Sequence, residues 1–105
     1  MEVKRGDVVW AEIFKDKPRR CVVVRSSRFQ TSENYTVCPI SSSDKHFDLV
    51  RVDVAPGVSG LEVRSVVETD RLQTLPVARL GKVVGRLTVA EMEAIDRSLR
   101  LWLDL

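Results

Sequence analysis

The stretch Thr88-Val89-Ala90-Glu91 decides the fold, because the chain changes its pattern there. A threonine followed three residues later by a glutamate is typical of a capping box, in which both side chains bond free N–H groups at the start of a helix. Behind it, Met92, Ile95, Leu99 and Trp102 recur at steps of three and four. We therefore predict an amphipathic C-terminal helix with this stripe facing the core.

Upstream of this helix the pattern is that of short strands. The clearest lies at residues 49–54, where valines alternate with charged residues and place Arg51 and Asp53 on the exposed face. Residues 21–24 are apolar throughout, which predicts a strand covered on both faces. Further strands or strand pieces are predicted at 6–14, 35–40, 65–67 and 71–75, separated by turns and polar loops.

Five to seven short strands and one helix indicate a mainly β protein, a small barrel with the helix over one side. The 105 residues suit a single domain over 1–105. With 44% hydrophobic and 30% charged residues, the composition is that of a globular protein, and no apolar run approaches the ~20 residues of a membrane span. The N-terminus lacks a signal-peptide pattern, so we expect a cytoplasmic protein with no membrane partner.

Basic residues cluster early in the chain, although the net charge is only +2. Such a local positive patch is suited to phosphate contacts, and the alternative is a solvated basic hairpin. Against a single acid, Asp16, the patch holds Lys15, Lys17, Arg19, Arg20, Arg25 and Arg28.

The cysteines and the histidine give no sign of a metal site. Cys21 and Cys38 each lie in an apolar context, which indicates buried, unreactive thiols, and cytoplasmic redox conditions argue against a disulfide. His46 is the only histidine and the chain has no Cys-x-x-Cys, so neither a zinc site nor another cofactor is expected.

Five segments, taken in order, resemble the MazF/PemK/Kid toxins of type II toxin–antitoxin systems. The resemblance implies a small SH3-like β-barrel of the CcdB/MazF type, a homodimer and a cognate antitoxin as partner. It also implies a metal-independent, sequence-specific endoribonuclease that cuts single-stranded mRNA by 2′-hydroxyl attack, leaving a 2′,3′-cyclic phosphate and a 5′-hydroxyl. The segments are KRGDVVW at 4–10, RRCVVV at 19–24, TVCPISS at 36–42, SVVETDRLQTL at 65–75 and LGKVVGRL at 80–87.

Three residues are implied to be catalytic by their positions in these segments. Arg20 matches the family's arginine, whose fork of donors suits the charged phosphorane. Ser41 stands where the family has a threonine and would orient the scissile phosphate, the alternative being a loop-capping serine. Asp70 matches a carboxylate that acts as base or substrate orienter, and Glu68 is a possible substitute.

Asp70 also has a structural interpretation, as an acid paired with Arg71 or Arg64. Trp10 and Trp102 are expected in the core or in an interface. Phe29 and Phe47 lie in polar loops and are expected to stack on unpaired bases unless they fold back onto the barrel. The predicted RNA-binding residues are Lys17, Arg19, Arg28, Phe29, Ser42, His46, Phe47 and Glu68.

Two other functions fit the same fold. A CcdB-like toxin would bind gyrase through a Trp-rich C-terminal tripeptide, whereas here Trp102 lies on the apolar stripe of the helix. A non-catalytic SH3-like module would use the basic hairpin to bind a peptide or a nucleic acid. The arginine and the serine in their matching places favour the nuclease, since fold alone does not assign function.

Overall fold

The computed structural model describes residues 2–13, 17–42 and 50–105. Within them, three short 3-10 turns, at Ser27–Phe29, Thr69–Arg71 and Val77–Arg79, connect the regular elements. Those elements are β1 (Asp7–Ala11), β2 (Arg19–Val23), β3 (Asn34–Ser41), β4 (Val52–Val54), β5 (Ser65–Val67), β6 (Gln73–Pro76), β7 (Leu80–Arg86) and α1 (Val89–Leu103).

The seven strands form one antiparallel sheet in the order β4-β5-β3-β2-β1-β7, with β6 paired to the first half of β3. The segment after β4 reaches the far edge of this sheet, where the Arg86 N–H donates to the Val58 carbonyl at 3.0 Å. Gly85 permits this approach, because a Cβ there would lie 2.3 Å from the backbone of Ser59. The sheet therefore curls back on itself, and the predicted class, mainly β with a C-terminal helix, is confirmed.

The central strands are buried on both faces, as predicted for residues 21–24. Cys21 and Val23 belong to one apolar cluster, which also contains Tyr35. Val22 and Val24 belong to a second cluster, which is completed by Ile95 of α1. Two cores thus lie on opposite sides of β2.

The capping box of α1 is confirmed. The Thr88 hydroxyl accepts from the Glu91 N–H at 3.1 Å, and Glu91 accepts from the Thr88 N–H at 2.9 Å. Ile95 is fully buried on the predicted stripe. Of the two places predicted for Trp102, the core is wrong, since the residue is 47% exposed, and an interface stays a prediction. Leu101 and Leu103 beside it are exposed as well, because the last turn of the helix extends beyond the core.

Three local predictions differ from the structure. The alternation over residues 49–54 predicts an exposed Arg51, but its side chain is only 9% exposed because it forms ion pairs with Glu68 and Asp70. The strand predicted at 71–75 begins at Gln73, since Thr69–Arg71 forms a 3-10 turn. Strand β7 is not predicted, because its two glycines interrupt any alternation and pairing with β1 stabilises it. In the described chain, no helix has the length and apolarity needed to cross a membrane.

Candidate active site

An open cleft of about 630 Å³ lies where β2 begins and β3 ends. These ends meet because the two strands are antiparallel, with Cys21 opposite Pro39. Its described lining combines cations, one carboxylate, hydroxyls and an aromatic ring. It is lined by Trp10, Lys17, Pro18, Arg19, Arg20, Ile40, Ser41, Ser42, Arg51, Glu68 and Arg71.

Arg20 enters the cleft beside an aromatic ring. It is the cross-strand partner of Trp10 in the β1–β2 pair, and its guanidinium carbon lies 5.5 Å from the centroid of that ring. To the described residues, the Arg20 side chain makes neither a hydrogen bond nor an ion pair. Its donors are therefore available to a ligand in the cleft.

Arg19 is held differently from its neighbour. Its Nη2 donates to the Ile40 carbonyl at 3.0 Å and lies 3.5 Å from Oε1 of Glu68. Since successive strand residues point to opposite faces, Arg19 and Arg20 approach the cleft from different sides of β2. Of the two arginines that begin β2, Arg19 is thus tied to the protein and Arg20 is turned to the ligand.

An ion-paired network extends from Arg19 through Glu68 into the cleft. Arg51 contacts Glu68 at 3.4 Å from Nη1 and forms two hydrogen bonds with Asp70, at 3.0 and 3.1 Å. The hydrogen bond from Arg51 lowers the pKa of Asp70 and in turn raises the pKa of Arg51. Asp70 is therefore an ionised carboxylate whose oxygens are already engaged, and its partner is Arg51 rather than the expected Arg71 or Arg64.

Glu68 is the carboxylate that faces the cleft. Its side chain is 8% exposed, and Oε1 accepts no hydrogen bond from the described residues. Asp70, by contrast, is not among the residues that line the cleft. This nearly buried oxygen lies 3.5 Å from Nη2 of Arg19 but accepts no hydrogen bond there, so it has an unmet capacity to accept one.

Ser41, Ser42 and Lys17 also line the cleft. Ser41 is the last residue of β3, half-buried and paired across the sheet with Val66, while Ser42 follows it at the exposed rim. Lys17 is exposed just before β2. A ligand in the cleft would therefore meet both hydroxyls and a flexible cation.

The structure divides the predicted basic patch between two ends of β2. Arg28 and Phe29 lie in the 3-10 turn after β2, whereas the cleft lies at the start of that strand. A five-residue strand is about 16 Å long, so the two places are well separated. Phe29 is 59% exposed, so it neither folds back onto the barrel nor reaches the cleft. Arg25 packs on Tyr35 instead, 3.8 Å from the ring centroid. His46, Phe47 and Lys15 lie outside the described residues.

Sequence reasoning missed three of the charged and aromatic residues that line the cleft: Trp10, Arg51 and Arg71. A signal existed for Trp10, since pairing the first two predicted strands across their turn brings it near Arg20. No local signal existed for Arg51, because its partner Asp70 is 19 residues away.

The cysteines take no part in this cleft. Cys21 and Cys38 are free and buried, and their side chains belong to opposite clusters. Burial raises the pKa of each thiol to about 12. Among the described residues, no cluster of histidine, cysteine or carboxylate side chains suits a metal ion.

Comparisons with a family profile and with known sequences point to the same family. The profile of one family, described as "PemK-like, MazF-like toxin of type II toxin-antitoxin system", matches residues 4–103. The chain is 31% identical over 107 aligned residues to the probable endoribonuclease MazF of Mycolicibacterium smegmatis, covering 98% of each chain.

Two solved structures are also similar. The Mycobacterium tuberculosis toxin MazF-mt6 is 30% identical with a TM-score of 0.81, covering 94% of this chain and 97% of that one. An endoribonuclease from a mycobacterial species, in complex with its cognate antitoxin, has a TM-score of 0.85 at 21% identity, covering 99% of this chain and 97% of that one. The latter likeness shows the fold alone.

Proposed function

Because the chain belongs to the family of PemK-like, MazF-like toxins of type II toxin–antitoxin systems, we propose that it is an endoribonuclease that cuts single-stranded mRNA in its cleft. The relatives named as endoribonucleases support the activity. The observation that carries the assignment is the meeting of Arg20, Ser41 and Glu68 in one cleft. A phosphodiester placed there meets donors for its oxygens and an acceptor for a proton.

The proposed reaction is an internal transfer that requires no metal. The 2′-oxygen attacks the adjacent phosphorus, the bond to the 5′-oxygen breaks, and the products are a 2′,3′-cyclic phosphate and a 5′-hydroxyl. One group must accept the 2′-hydroxyl proton, and the departing 5′-oxygen takes a proton from solvent. Donors aimed at the phosphorane stabilise the charge that develops in the transition state.

We assign the roles according to what each side chain has available. Arg20 donates to the phosphorane oxygens, and Ser41 orients the scissile phosphate. Glu68 accepts the 2′-hydroxyl proton, because its Oε1 has no hydrogen bond within the described part of the chain. The family resemblance points to Asp70 before Glu68 for this role. Asp70 positions Arg51 instead, since both of its carboxylate oxygens accept hydrogen bonds from the Arg51 guanidinium.

A cognate antitoxin is the proposed regulatory partner. An antitoxin is bound in the solved mycobacterial complex of the same fold. An acidic segment would block the cleft by pairing with Lys17 and Arg20, which line it. We also propose that the protein is a homodimer and lies in the cytoplasm, the first as the family resemblance implies.

The test is a cleavage assay of the purified chain on a long single-stranded RNA in EDTA. We expect discrete cuts with cyclic-phosphate ends, and no cut where a 2′-deoxynucleotide replaces the nucleophile. Arg20→Ala should lower the rate by about 100-fold, as loss of one oxyanion donor does, and Ser41→Ala and Glu68→Gln should lower it by about tenfold or more. Asp70→Asn should lower the rate less than Glu68→Gln.

Arg97→Ala is the matched control, because Arg97 is an exposed cation of α1 that does not line the cleft. It should cut as fast as the wild type. Absence of cuts on several RNAs, or equal loss in Arg97→Ala and Arg20→Ala, would reject the assignment. The partially exposed Trp102 would then make gyrase the first target to try in a pull-down.

A further inference from the structure

Arg20 is oriented by an aromatic ring, whereas the cleft's other paired arginines are oriented by acids. Arg51 is bound to Asp70 and contacts Glu68, and Arg19 contacts Glu68. The only contact described for the Arg20 guanidinium is the ring of Trp10, with 5.5 Å from Cζ to the ring centroid. A cation within about 6 Å of an indole centroid is attracted by the ring face.

The Trp10 ring is itself held in a defined place. Trp10 belongs to β1, which pairs with β2 on one side and with β7 on the other. Gly81 of β7 leaves room for it, since a Cβ at that glycine would lie 3.3 Å from the Trp10 Cβ. With Pro18 and Leu80 it also lines a second, smaller cavity of about 110 Å³. Trp10 thus borders both cavities, and 39% of the residue is exposed.

A ring face orients a guanidinium without neutralising it. A carboxylate partner would occupy two of the donors and compete with the phosphate, whereas an aromatic face leaves the in-plane N–H groups available. We propose that Trp10 is a positioning residue, which holds Arg20 by a cation–π contact so that its donors meet the scissile phosphate. This inference rests on the proposed function of Arg20 in RNA cleavage.

The kinetic test compares Trp10→Leu, which removes the ring face, with Trp10→Phe, which retains one. We expect Trp10→Leu to lower kcat by about tenfold, the scale of one cation–π contact, with KM changed less than about twofold. Trp10→Phe should restore most of the loss. A thermal unfolding curve of each variant checks that the substitution leaves the protein folded.

A double-mutant cycle separates positioning from direct contact with RNA. In an Arg20→Ala background, which removes the cation altogether, Trp10→Leu should cost less than about twofold in single-turnover cleavage. An undiminished tenfold loss there would show that Trp10 acts on RNA directly and would overturn the proposal. Failure of Trp10→Phe to recover activity would overturn it as well.

Fluorescence tests the pair without RNA. The chain has two tryptophans, so Trp102→Phe leaves Trp10 as the only tryptophan emitter, which excitation above the tyrosine band selects. In that background, Arg20→Ala should shift or brighten the emission, and the matched Arg97→Ala should not. Unchanged emission would contradict the contact itself. If the emission responds but the wild type cuts no RNA, the proposed function has failed, and Trp10 then has no catalytic group to position.

Discussion

The carboxylate of Asp70 accepts two hydrogen bonds from the guanidinium of Arg51, 3.0 Å from Nε and 3.1 Å from Nη2. Both side chains are largely buried, at 9% and 18% exposure, so the pair is little screened by solvent. The residues lie 19 apart in the chain. The pair therefore fastens the segment before β4 to the turn after β5, beside Glu68 in the cleft.

Removing this pair should destabilise the fold in a pH-dependent way. The pKa of Asp70 is lowered from its ordinary value of 3.8. The pair with Arg51 therefore adds to the free energy of unfolding above pH 3.8, and this stabilisation is lost as the pH falls through the lowered pKa. Asp70→Asn should lower the free energy of unfolding by about 2 kcal/mol at pH 7. The difference from the wild type should narrow below pH 3.8. Urea unfolding at both pH values measures it.

The exposed Asp53 is the matched control for that experiment. Asp53→Asn should change the free energy of unfolding by less than about 0.5 kcal/mol at either pH. An equal loss in both variants would mean that overall charge, rather than the pair with Arg51, is responsible.

The two thiols should be unreactive in the folded protein. Burial raises the pKa of Cys21 and Cys38 to about 12, from 9.0, which lowers the thiolate fraction at pH 8 by about a thousandfold. A thiol reagent at pH 8 should label neither residue at an appreciable rate, and both after unfolding in guanidinium. Rapid labelling of either cysteine without denaturant would contradict their burial.

Gly85 should tolerate no side chain. A Cβ there would lie 2.3–2.4 Å from backbone atoms of Ser59 and Val58, which cannot move aside as a flexible side chain does. Gly85→Ala should therefore destabilise the protein by about 2 kcal/mol or more and lower the melting temperature. At Gly57 nothing lies within 4 Å, and only the positive φ of 105° opposes a side chain. Gly57→Ala should cost about 1 kcal/mol, and an equal effect at both sites would refute the steric account.

Glu91 should contribute more to stability than the capping threonine does. One of its oxygens completes the capping box with Thr88, and the other accepts from the Ala55 N–H at 2.9 Å, which ties the helix to the segment after β4. Thr88→Ala should cost about 1 kcal/mol, and Thr88→Ser should cost little. Glu91→Ala should cost more than Thr88→Ala in denaturant unfolding. The reverse order would show that the contact with Ala55 contributes nothing.

Much of the fold could be predicted because its signals are local. The capping box needs only the spacing of Thr88 and Glu91, and a strand buried on both faces needs only the apolar run at 21–24. Strand β7 could not be predicted in this way, because its pairing with β1 joins residues more than 65 positions apart, such as Leu80 and Ala11. The family resemblance brought Arg20 and Ser41 to attention, and both line the cleft.

The sequence by itself determined the helix, most of the strands and the buried thiols, because periodicity acts over a few residues, and the family resemblance added Arg20 and Ser41. Only the tertiary structure decided what surrounds them. The register of β1 and β2 places Trp10 beside Arg20. Arg28 lies beyond the far end of β2 and so lies away from the cleft. Arg51 contacts Asp70 because the chain turns back between them. Such contacts depend on which strands pair and in which register, and no local pattern encodes that choice.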